Sequence, residues 1–232
     1  MALPKLDTPT FQLELPSNQQ VIKYRPFLVK EQKILMMAQD ADNEKDTYNM
    51  LAEIVNGCTF SSVDIKTMPL FDFEYLFLKI RCKSVGESAE LSILCPDDEE
   101  TRVPVTIDLD EIDVQIQDDH TNVIGVNQDI KILMRYPTVN DIDNISETKN
   151  DVLKLIKSCI YEVHDGDTIH NMIDVTSKEL DEFIDTLPTE VFEKMGTFFN
   201  TMPTLTHVIN VKNPKTDVTS EVVLQGIKTF FS

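Results

Sequence analysis

Ile93-Leu94-Cys95-Pro96-Asp97-Asp98 and Val211-Lys212-Asn213-Pro214-Lys215-Thr216 share one form, a β-rich segment running into a knuckle with proline in second place. A further β-rich run follows each, with Val103, Val105 and Leu109 after the first and Val218, Val222, Val223 and Leu224 after the second. Two such runs joined by a turn-forming stretch read as a hairpin. The chain therefore carries two related hairpins, at 90–109 and 205–225. In a zinc ribbon the first and fourth knuckle positions are cysteines, because a Cys-x-x-Cys turn presents two thiolates at the spacing a tetrahedral ion requires. Here those positions hold Cys95 and Asp98 in one knuckle, Asn213 and Thr216 in the other, so neither supplies a thiolate pair. Both read as degenerate zinc-ribbon-like hairpins held by packing, with no metal bound.

Outward from this pair, Phe11 to Leu15 alternates apolar and polar, Pro16-Ser17-Asn18 turns, and Val21 to Tyr24 resumes the extended pattern, a third hairpin. Helical spacing of apolar residues follows in Glu31–Gln39, Asp46–Val55, and the run from Leu70 through Phe73, Leu76, Phe77 and Ile80. Later, Ile130–Met134 reads as a strand and Lys149–Tyr161 as a helix. Two more helices open at Ser177 and after Pro188. The fold class is α+β, β-hairpins with short helices, in two lobes that each hold one degenerate ribbon. Residues 1–137 form an N-terminal α+β lobe with the hairpin at 90–109, and 138–232 a C-terminal helical lobe ending in the hairpin at 205–225.

The 232 residues are 41% apolar and 26% charged, a globular composition, with a net charge of −19. A surface this negative repels nucleic-acid backbone and anionic lipid and suits solubility or basic protein partners. No apolar run is long enough for a signal peptide or a bilayer span, and the widely spaced Cys58, Cys82, Cys95 and Cys159 read as free thiols in a reducing compartment.

Other constellations lose on inspection. Asp141-Ile142-Asp143 and Asp40-Ala41-Asp42 begin like calcium loops, but the glycine and final glutamate positions hold Ser146 and Val152, then Lys45 and Leu51. They read as acidic loops and helix caps. His164-Asp165-Gly166-Asp167 with His170 gathers possible ligands, yet Asp-Gly is first of all a turn signal. No serine elbow, phosphate loop, dinucleotide glycine pattern or His-Glu-x-x-His stretch occurs. The expectation is a protein that binds other proteins and catalyses nothing, with no catalytic residue, cofactor or small-molecule ligand.

Leu3-Pro4-Lys5-Leu6-Asp7-Thr8-Pro9, the run Tyr24 to Lys33 containing Arg25-Pro26-Phe27, the segment Asp72 to Arg81, and Lys83-Ser84-Val85-Gly86-Glu87 together resemble the T4-type phage baseplate protein family. That family contains the baseplate hub subunit and the hub assembly catalyst. The resemblance implies a structural or assembly role in a contractile tail, with other tail and baseplate proteins as partners. It places the chain in the virion baseplate or, during assembly, in host cytoplasm. Arg25, Pro26, Phe27, Ser84 and Gly86 are its structural motif. Some family members carry Cys-x-x-Cys at the knuckles, and this chain departs from them at Asp98, Asn213 and Thr216. Phe27, between a strand and an amphipathic helix, is expected to plug the core. Phe230 and Phe231 at the chain end either dock on the helices around Val191, Phe192, Met195 and Phe199 or form a partner-binding patch.

Overall fold

The computed structural model describes residues 7–41, 43–144 and 149–230. The chain divides into two compact units, one of residues 1–115 with 204–232, the other of residues 116–203. This differs from the division at 137 expected from the sequence. The C-terminal hairpin is part of the first unit, and the region after residue 115 already belongs to the second.

The first unit begins with an antiparallel hairpin, β1 (Phe11–Glu14) and β2 (Val21–Tyr24), which pairs Phe11 with Tyr24. Helices α1 (Val29–Gln39), α2 (Glu44–Cys58) and α3 (Leu70–Val85) follow. Apolar residues at steps of three and four along α2 bury Leu51, Ile54, Val55 and Cys58. Asn43 caps this helix, its side chain accepting from the Asp46 N–H.

Helix α3 is buried nearly all round, its polar residues included. Burying a polar group costs free energy unless it is hydrogen-bonded, so each must find a partner. Asp72 accepts from the Ser17 N–H at 3.1 Å and from the Ser17 hydroxyl, fixing the first hairpin's turn. Glu74 accepts from the Tyr48 hydroxyl at 2.7 Å, which ties down α2. Lys79 donates to the Asp110 carbonyl at 2.6 Å. Burial pushes the carboxyls of Asp72 and Glu74 above their ordinary range, against the pull of these bonds. Gly86, at φ +117°, ends the helix in a conformation that disfavours any side chain.

Strands β3 (Ser88–Leu94) and β4 (Arg102–Asp108) form the first ribbon hairpin, in register from Ser88↔Asp108 to Leu94↔Arg102. A short strand β5 (Asp113–Gln115) closes this part of the chain.

The second unit is built on a four-stranded antiparallel sheet. It comprises β6 (Val123–Gly125), β7 (Ile130–Met134), β8 (Ile160–Asp165) and β9 (Thr168–Asn171), in that spatial order. Helices α4 (Lys149–Cys159), α5 (Ser177–Asp185) and α6 (Thr189–Thr201) complete it. Ile132, Met134, Cys159, Val163, Met195 and Phe198 belong to its core. The helix expected through Tyr161 ends at Cys159, and Ile160 and Tyr161 open β8 instead. The Asp165-Gly166 turn joins β8 to β9, with Gly166 at φ +55°.

The chain then returns to the first unit with β10 (Thr204–Lys212) and β11 (Thr219–Gln225). The central β10 pairs with β11 along one edge and with β5 along the other, setting Leu205 opposite Val114. A 3-10 turn, Ile227–Phe230, finishes the described chain. The two ribbon hairpins therefore lie in one unit, not one in each lobe. Leu91, Ile107, Ile209, Val211 and Leu224 from the two hairpins share one apolar core with Leu78 and Cys82 of α3.

Candidate functional site

The two knuckles have the same backbone form. Cys95 C=O accepts from the Glu99 N–H at 3.0 Å, and Asn213 C=O accepts from the Asp217 N–H at 2.9 Å. Glu99 and Asp217, each at the fifth position of its knuckle, both take positive φ, +54° and +63°. The closing bonds differ by one residue, since Cys95 N–H reaches the Thr101 carbonyl and Asn213 N–H the Val218 carbonyl.

The knuckles meet through Asp97. The Asn213 side-chain amide lies 3.0 Å from each Asp97 carboxylate oxygen, and the Thr216 hydroxyl donates to one of them. Asp98 turns inward on its own knuckle, accepting from the Thr101 hydroxyl at 2.6 Å and the Thr101 N–H at 2.9 Å. Thr216 and Asn213 hold the Asp97 carboxyl below its ordinary range, and Thr101, with help from Asn213, holds Asp98 there too. Burial pushes the Cys95 thiol up, and the carboxylates of Asp97 and Asp98 add to the effect.

This arrangement does not fit zinc. Of the four ribbon positions only Cys95 carries a thiol, and Asp98, Asn213 and Thr216 are already engaged in the hydrogen bonds just described. Among the described residues no group of three or more His, Cys, Asp or Glu is placed to hold a metal ion. The knuckles were expected to be held by packing. Hydrogen bonds centred on Asp97, a residue the sequence reading had not singled out, join them as well.

Arg25, Pro26 and Phe27 lead into α1 and meet the end of α3 at Ser84, while Gly86 caps that helix. Buried Arg25 forms an ion pair with Glu31 at 2.8 Å and donates to the Gly57 carbonyl at 3.0 Å and the Pro26 carbonyl at 2.9 Å. A Cβ at Gly57 would lie 3.1 Å from Glu31 Oε1, so a side chain there would press on the carboxylate that Arg25 holds. Burial alone would raise the Glu31 carboxyl, but Arg25, the Leu28 N–H and Lys30 together bring it below its ordinary range. The Phe27 N–H donates to Ser84 Oγ at 2.8 Å, and its ring packs on Phe77 with centroids 5.8 Å apart. Phe27 is half-buried, a cover over the core rather than a plug within it.

Phe230 is 1% exposed and packs in the core of the first unit with Leu78, Cys82 and Leu224. It is not an exposed patch, and the core that it joins is that of the first unit, whereas Val191, Phe192, Met195 and Phe199 belong to the second. Glu74 helps to hold the tail, accepting from the Ile227 N–H as well as from Tyr48. Phe231 lies outside the described residues, as do Asp42 and Ser146 of the rejected calcium loops.

Among the described residues no buried side-chain nitrogen or oxygen lacks a hydrogen-bond partner. The polar interior is committed to holding elements together. A family model described as T4 bacteriophage base plate protein matches residues 8–232. The chain belongs to that family. No curated protein and no solved structure matches it. In this baseplate family member the matched region takes in both units, both knuckles and the Arg25 cluster. No described helix is long and apolar enough to cross a membrane.

Proposed function

We propose that this chain is a subunit of the baseplate hub of a contractile phage tail, acting through contacts with other tail proteins and catalysing no reaction. Family membership over residues 8–232 carries the reading. The chemistry of the interior supports it. The thiols of Cys58 and Cys82 are pushed by burial to about 11 and that of Cys159 to about 12, so at neutral pH they are protonated and poorly nucleophilic. The buried carboxylates serve as ties between elements. Virion tail baseplate is the location that follows, with neighbouring baseplate proteins as partners and no nucleic acid or small-molecule ligand.

The net charge of −19 favours a second reading, a soluble assembly chaperone or catalyst that helps the hub form in the host cytoplasm and then leaves. Mass spectrometry of purified virions separates the two. A hub subunit is found in the particle at stoichiometric level, whereas a helper is absent from it but co-purifies with hub proteins from infected cells. Absence from both would overturn the proposal.

A further inference from the structure

We propose that the open edge of strand β9, with the groove beside it, is a docking site for an extended segment of a neighbouring protein that bears both basic and apolar side chains. The two ends of the second unit's sheet differ. At one end α6 packs against β6, while β9 ends the sheet at the other. An end strand offers main-chain donors and acceptors to an added strand.

A groove of about 590 Å³ extends from Ile130 of β7 and Val163 of β8 out to this edge, within the range of ligand-binding clefts. Ile169, His170, Asn171 and Met172 all line it. Successive strand side chains point to opposite faces, so a run of consecutive lining residues means that the strand's edge itself borders the groove. Helix α5 forms the facing wall through Glu179, Leu180 and Phe183. This helix has an apolar stripe of Leu180, Phe183, Ile184 and Leu187 yet no fully buried residue, so its apolar face is only partly covered within the chain. Ile169 is 60% exposed and Ile173, at the bend beyond β9, is 91% exposed.

Charge selects the kind of segment. Asp165, Asp174 and Glu179 line the groove, and no lysine or arginine does so among the described residues. A segment with alternating apolar and basic residues would set main-chain bonds against β9, apolar side chains against Leu180 and Phe183, and its cations near the three carboxylates. This inference rests on the reading of the chain as a protein-binding part. Virion and pull-down measurements test that reading, and the binding experiment below tests the groove, so either can fail alone.

Isotope-labelled full-length protein is titrated with a synthetic eight-residue peptide of alternating lysine and valine, and separately with its glutamate–valine counterpart. Amide shifts and calorimetry report binding. The lysine peptide is expected to saturate the protein, with shifts centred on Thr168–Met172 and Glu179–Phe183, and to bind at least tenfold more tightly than the glutamate peptide. Ile169→Lys combined with Asp174→Lys, both at exposed positions, should weaken it at least tenfold without changing Tm. The milder pair Asp165→Asn and Asp174→Asn, which keeps the shape, should weaken it at least threefold. The proposal is overturned if the lysine peptide produces no shifts, if the two peptides bind equally, if the Asn pair binds like wild type, or if sedimentation shows that a second copy of the chain occupies the groove.

Discussion

Residues 116–203 build their unit from one continuous stretch, whereas the other unit assembles from residues 1–115 and 204–232. In the continuous unit, strands adjacent in space are adjacent in the sequence, with β6, β7, β8 and β9 in chain order. In the discontinuous one β10 pairs with β5 across the whole intervening unit, and the knuckle contact joins Asp97 to Asn213, 116 positions away. Long-range pairing pays its loop-closure entropy before the contacts reward it. The units should therefore differ in what breaks them. Damage to the returning segment should undo one unit and spare the other.

Deletion of residues 204–232 is the harshest test. It removes β10, β11 and the Phe230 tail, and should abolish amide-exchange protection in α3 and β3 while leaving β7 and β8 protected. Native protection in α3 after the deletion would refute the contrast. A pair of core truncations sharpens it. Phe230→Ala and Phe198→Ala, each at a fully buried ring, should both cost about 3–5 kcal/mol. Protection should fall in the first unit for one and in the second unit for the other, as read by residue-resolved hydrogen exchange. Phe27→Ala, at a half-buried ring on Phe77, should cost less, about 1.5–3 kcal/mol in urea denaturation.

Acid supplies a gentler comparison. His120, stacked on Tyr136 with centroids 5.6 Å apart, has its imidazole pKa lowered by burial, opposed weakly by Asp119. Its unfolded form binds a proton more readily than the folded one, so this stabilisation of the second unit is complete above about pH 6.5 and is lost as pH falls through the lower folded value. Asp97 and Asp98 also have lowered values, from an ordinary one near 3.9. Their contribution to the first unit is complete above about pH 4 and disappears only in stronger acid. Between pH 7 and 5 the second unit should weaken first, and His120→Gln should flatten that part of its profile. Equal loss in both units over that range would contradict the assignment. The smallest effect is expected from a chelator. With the knuckles joined by Asp97, EDTA should leave Tm unchanged and elemental analysis should find no stoichiometric zinc. A Tm fall on chelation would show that a metal holds the tips.

Local pattern made most of the first unit readable. The apolar steps of α2 and α3, the alternation in β1 and β4, and the matched prolines of the knuckles each have a period or a turn chemistry. The division into units had no such mark. It depends on a three-residue strand, β5, whose pairing with β10 leaves no trace in either segment. Strand β9 was missed because Thr168, Ile169 and His170 are all exposed and show no alternation, and the start of β8 because Ile160 continues the apolar spacing of α4. At the knuckles the ribbon spacing marks the first and fourth positions, those a metal would use. The contact runs through the third position, Asp97, where no spacing rule directs attention. For Arg25 and Ser84 the resemblance marked the residues, but only the fold supplied Glu31 and the Phe27 N–H as their partners.

The return of β10 to β5 has a consequence for the protein as it is made. A ribosome adds about 5–20 residues per second, so β5 must wait on the order of ten seconds between its own synthesis and that of β10. By the end of that interval residues 116–203 have all been made and can fold, while the core around Leu78, Leu91 and Ile107 stays open on the side that β10 and Phe230 will cover. A nascent chain released at Thr204 would carry one finished unit together with a stretch of unsealed apolar surface, the kind of surface that chaperones and proteases select. The returning strands thus mark a point that translation must pass, since only a chain that has reached them can hide that surface.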